Sequence, residues 1–196
     1  MKKIFALGCL VISVMLMGTG CGQSNYTQET VTDEAVIKRL DELAKENLKT
    51  YFDVNVNEDI AMTETATKYI PKNETSEASE LLIFLAKQEA DPAEGQLYSY
   101  QIMIDAKTES LRGLYYGIYS TAEPQSFTDE ELEQIGRTFI KEHQMIPEET
   151  ELSLLKVDKV SGADYIKSLT YQYGEKYILI NINVQDGKVM SFEYSS

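Results

Sequence analysis

The sequence predicts an α+β protein made of two related units, each an amphipathic helix packed on a small antiparallel sheet. Three observations lead there. Two capped amphipathic helices open alike, at Thr32-Asp33-Glu34 and Thr128-Asp129-Glu130, 96 positions apart. Each is followed by alternating, β-branched and aromatic segments that close in a hairpin pattern. Those closing segments also correspond, here at a spacing of 78, with Ile102, Ile104, Leu111 and Tyr116 matching Ile180, Ile182, Val189 and Tyr194. A helix covering one sheet face is the simplest layer such a unit can form.

In chain order, residues 1–20 read as an export signal. Lys2 and Lys3 precede an apolar run of 14 residues, Ile4 to Met17, which is too short to span a bilayer. Gly18-Thr19-Gly20-Cys21 resembles the lipobox of bacterial lipoproteins, although that family usually has an aliphatic residue where Gly18 stands. The resemblance implies cleavage before Cys21 and a diacylglyceryl group, with palmitate-type acylation, on its sulfur. Two acyl chains suffice for stable membrane attachment. Cys9 falls within the discarded leader, so the exported part has no disulfide and no thiol chemistry. Residues 21–31 are polar and aperiodic, and read as a flexible tether.

The first unit is expected over 32–120. Thr32 is the expected cap, and Ile37, Leu40, Ala44, Leu48 and Tyr51 form a buried stripe. Asp53 to Glu64 follows with oxygen-bearing residues at calcium-loop positions 1, 3, 5, 7 and 12. Glu58 stands where that loop needs glycine, and Val54 and Val56 are strand formers, so a helix-to-strand connection is the better reading. Because the helix and hairpin spacings differ by 18, the first unit should carry an insertion of about that size near 71–96. The hairpin segment places Tyr98, Tyr100, Ile102 and Ile104 on one face.

The second unit is expected over 127–196. Thr128 caps its helix, Glu131 completes a capping box, and Leu132, Ile135, Phe139 and Ile140 face the sheet. Ile178, Ile180, Ile182 and Val184 alternate inward before an Asp186-Gly187 turn. The hairpins read Asp105-x-x-Thr108-Glu109-x-Leu111 and Asn183-x-x-Asp186-Gly187-x-Val189. They resemble the closing motif of PepSY-type domains, Asp-x-x-Thr-Gly-x-Val, with Glu109 replacing the turn glycine and Asn183 the aspartate. That resemblance implies a non-enzymatic module that docks on or restrains a partner, in some relatives a secreted peptidase, with no family active site.

Composition narrows the function further. Without Lys2 and Lys3 the chain holds 16 basic and 32 acidic residues, a net charge of −16 that argues against nucleic-acid partners. There is no glycine-rich phosphate loop for a nucleotide. His143 is the lone histidine, which leaves Ser–His–Asp, Cys–His and zinc sites short of parts. No cofactor or metal is expected. The 13 tyrosines suggest a contact surface, with Tyr115, Tyr116, Tyr119, Tyr171 and Tyr173 as candidates beside ordinary cross-strand packing. The expected function is a lipid-anchored, extracytoplasmic binding module on the cell membrane that contacts an envelope protein. A carboxylate-based hydrolase and a carbohydrate- or cation-binding lipoprotein are the alternatives.

Overall fold

A computed structural model describes residues 26–72 and 79–195; Cys21 and the leader lie outside the described residues. The elements are β1 (Tyr26–Thr30), α1 (Glu34–Phe52), β2 (Met62–Pro71), β3 (Leu81–Gln88), β4 (Leu97–Asp105) and β5 (Leu111–Ile118). They continue with α2 (Asp129–Glu142), β6 (Ser153–Val160), β7 (Ala163–Tyr173), β8 (Lys176–Asn183) and β9 (Lys188–Ser195).

The nine strands form one antiparallel sheet in the order β1-β2-β3-β4-β5-β9-β8-β7-β6. This corrects the expected fold class of two units with a small sheet each. The two last strands, β5 and β9, pair with one another through Gly113↔Glu193, Leu114↔Phe192 and Tyr115↔Ser191. Edge strands carry unpaired backbone groups, and joining two such edges satisfies them inside a single sheet. The 78-residue correspondence turns this ladder onto itself: Leu114 matches Phe192, and the other two pairs exchange. The β5/β9 seam is therefore an approximate two-fold.

Both helices lie on one face. Phe52 of α1 stacks on Phe139 of α2 at 5.6 Å, and the pair meets Tyr116 and Phe192 from the sheet. Leu40, Ala44 and Leu48 from α1 join Leu132, Phe139 and Ile140 from α2 in a continuous core with Phe84, Ile102, Leu114, Leu169, Ile180 and Phe192. Each large apolar side chain buried there contributes about 1.5–3 kcal/mol.

Several local expectations change. Asp33, not Thr32, caps α1, its carboxylate accepting from the Ala35 and Val36 amides. Tyr26–Thr30, within the expected tether, is instead an edge strand paired along its length with β2. Leu81–Gln88, inside the expected insertion, is β3, an interior strand, and residues 73–78 of that stretch lie outside the described residues. The α2 cap does form a capping box, Thr128 and Glu131 bonding one another's backbone amides.

The two hairpin turns share their geometry. Asp105 Oδ1 accepts from the Lys107 and Thr108 amides, and Asn183 Oδ1 accepts from the Gln185 amide. Glu109 and Gly187, 78 residues apart, both have positive φ, 58° and 71°. The motif's glycine position is thus left-handed in both turns, and Glu109 holds it without glycine's freedom.

Candidate functional site

The tyrosines do not form a surface row. Tyr115, Tyr116 and Tyr171 are buried, and only Tyr119 and Tyr173 are part-exposed. Tyr171 lies under α2 and donates to the Glu133 carbonyl at 3.0 Å, over a helix position that only Gly136 keeps clear. Tyr116 packs on Phe52 and donates to the Val189 carbonyl, and burial lifts its hydroxyl to about 12. The pleat, and the helices that cover one face, divide the five positions between different surroundings.

His143 caps the end of α2 and packs on Phe139 and Tyr51, at 4.5 and 5.1 Å between rings. Burial pushes its pKa down, favouring the neutral ring. Its surroundings are aromatic and structural.

Asp53 to Glu64 forms the connection from α1 to β2. Asp53 closes α1 in a left-handed conformation and pairs with Lys49, Glu58 pairs with Lys45, and Glu64 already belongs to β2. These carboxylates are engaged in different directions. Among the described residues no three His, Cys, Asp or Glu side chains cluster as a metal would require.

One charged cluster has the look of chemistry. The Tyr100 hydroxyl donates to Asp41 Oδ1 at 2.5 Å, while Lys45 Nζ lies 2.7 Å from Asp41 Oδ2 and 2.8 Å from Glu58. Its protonation states argue for a structural role. Burial, then Asp41, drives the Tyr100 hydroxyl far above its ordinary value. The carboxylates outweigh desolvation at Lys45 and hold its ammonium protonated. A tyrosine kept neutral and a lysine kept charged both bind Asp41, one at each of its carboxylate oxygens. The cluster ties α1 to β4.

The helix-free face carries a different set, missed in the sequence. Alternation turns Gln101, Tyr115, Ser191 and Asn181 away from the helices, and the register places them side by side across β4, β5, β9 and β8. Asn181 Nδ2 donates to Ser191 Oγ at 2.8 Å. In the next row Glu193 stands opposite Gly113, where the Met103 methyl closes over the space a side chain would fill. Glu193 is 7% exposed, and burial alone raises its carboxyl to about 8. Among the described residues, both Gln101 amide atoms, Asn181 Oδ1 and Glu193 Oε2 have no hydrogen-bond partner. Unpaired buried polar atoms cost about 1–3 kcal/mol each, and folds carry few without reason.

An apolar strip of Leu81, Ile83, Met103 and Tyr69 borders this row on the same face. At one end Tyr98 departs from its expected side. A bulge between Leu97 and Ser99 turns it to the helix-free face, where its ring fills the space over Gly117 and its hydroxyl lies 3.4 Å from that of Tyr115. The sequence signal for this row was only polar alternation within apolar strands, which ordinarily denotes solvent.

No family model and no curated protein matches the chain. The fold is similar to a solved structure, the Bacillus megaterium YpeB C-terminal domain, at 14% identity and a TM-score of 0.48. The match covers 78% of this chain and 62% of that one, so the chain spans less than two thirds of its length.

Proposed function

We propose that this chain is a non-catalytic binding module, held at the extracytoplasmic face of the membrane by lipid on Cys21, that contacts an envelope protein through the helix-free face of its sheet. The observation that carries the reading is the row of buried polar atoms on Gln101, Asn181 and Glu193, without partners among the described residues, beside the Leu81–Ile83–Met103 strip. A partner reaches these shielded atoms by displacing side chains that cover them, such as Met103, and its hydrogen bonds then relieve the desolvation these groups bear. The lipobox-like residues support the anchor, and the two PepSY-like hairpins support docking in place of turnover. In the Asp41–Lys45–Tyr100 cluster both carboxylate oxygens of Asp41 are engaged, one by the Tyr100 hydroxyl and one by the Lys45 ammonium, which suits a tie between α1 and β4.

Site-specific photo-crosslinking in the native envelope tests it. A crosslinker at Leu179 or Thr170, on the helix-free face, should yield one discrete adduct, and Glu193→Lys should remove it. Equal adducts from Glu42, exposed on α1, would reject the assigned face. Turnover of an envelope substrate by the purified chain alone would reject the class.

A further inference from the structure

The first strand limits how far the sheet can stand from a lipid on Cys21. Tyr26 is the first residue of β1 and is paired with Pro71, and all five residues of the strand are in register with β2. Val31 continues the attachment by donating to the Ala66 carbonyl at 2.9 Å, and Asp33 then caps α1. The path from Tyr26 onward is therefore fixed to the sheet. From Cys21 to Tyr26 there are only five residue steps, which reach at most about 18 Å when fully extended. Eight strand spacings of about 4.8 Å separate β1 from β6, or roughly 38 Å across a flat sheet.

The chemistry of that edge fits a bilayer surface. β1 reads Tyr-Thr-Gln-Glu-Thr, with one charge in five residues on a chain of net charge −16 after leader removal. Tyr26 lies edge-on against Tyr69 at 6.5 Å. Tyrosines with an apolar ring and a polar tip are favoured at the headgroup level.

We propose that the β1 edge of the sheet, Tyr26 to Thr30, is a lipid-facing surface that lies against the bilayer, so that the domain stands edge-on with β6 directed away. This rests on the reading that Cys21 is lipidated. It deepens that reading by assigning the membrane side of the sheet. β1, screened by headgroups, is then closed to strand addition, and the polar row on the helix-free face is presented upright beside the membrane.

The absence of other cysteines after Cys21 makes the test direct. Full-length chain carrying Gln28→Cys on β1 or Lys159→Cys on β6 is expressed, matured and labelled with a donor dye. It is then reconstituted in phosphatidylethanolamine–phosphatidylglycerol vesicles holding an acceptor lipid. The Gln28→Cys label should transfer energy several-fold more efficiently than the Lys159→Cys label. A long Gly/Ser spacer inserted after Gly22 should erase most of that difference while leaving the protein on the vesicles. Equal transfer from both labels in the unspaced chain overturns the orientation. A Cys21→Ser chain that stays with the membrane overturns the lipid reading instead, so the two failures are distinct.

Discussion

Glu193 faces Gly113 across the seam with almost no solvent and, among the described residues, no partner for one carboxylate oxygen. Its folded pKa, about 8, lies above the ordinary 4.5. Between those values the unfolded chain gives up a proton that the native chain keeps. Its contribution to stability is complete below about pH 4.5, falls as the pH rises and is lost above about 8. Each tenfold difference in proton affinity between the folded and unfolded chain is worth roughly 1.4 kcal/mol, so the loss amounts to a few kcal/mol. Glu193→Gln keeps the shape without the charge. Urea midpoints from pH 5 to 9 should be flatter for that variant than for the parent, and parallel curves would show that Glu193 is ionised in the fold. Gly136 makes the complementary point about packing. A methyl there would collide with the Tyr171 hydroxyl, which donates to Glu133 one turn away. Gly136→Ala should lower stability by about 1–3 kcal/mol despite alanine's better helix propensity. A raised melting temperature would mean the ring has room to move.

At the scale of elements, the paired hairpin turns allow an internal comparison. Glu109 adopts the left-handed backbone that Gly187 supplies in the other turn. A non-glycine residue in that region costs on the order of 1 kcal/mol, against which stands an exposed Glu109–Arg39 ion pair of small value. Glu109→Gly should therefore be neutral to stabilising by up to about 1 kcal/mol. Gly187→Ala should destabilise, since it adds strain at positive φ and presses a methyl against Phe127. Thermal denaturation of the two variants checks both, and a clear loss from Glu109→Gly would show that the Arg39 pair dominates. The turns, the capping box of α2 and both helix stripes were legible because their determinants are local. Other elements were not. Nothing polar or aperiodic in Tyr26–Thr30 signals a strand, because its hydrogen bonds come from β2, forty residues on. Likewise Leu81–Gln88 looked like an apolar island until β2 and β4 bracketed it.

For the whole molecule, the seam sets the cooperativity. β5 and β9 meet through three register pairs, yet the core beneath them is shared, with Phe52 and Tyr116 from one half against Phe139 and Phe192 from the other. Two such halves should unfold together. Calorimetry of the mature chain should give one transition whose calorimetric and van't Hoff enthalpies agree, and two resolved transitions would show that the halves are independent.

Periodicity, capping residues and turn chemistry are carried by neighbours in the chain. By themselves they determined two amphipathic helices, alternating strands behind each, a pair of matching hairpins and an acidic chain with no cysteine after Cys21. Whether two edges would find each other, which side of a strand would be covered, and which tyrosines and polar groups would lose their water depended on contacts between residues tens of positions apart. Those contacts exist only once β5 lies beside β9 and both helices settle on the same face, so the tertiary structure alone decided the single sheet, the buried tyrosines and the polar row.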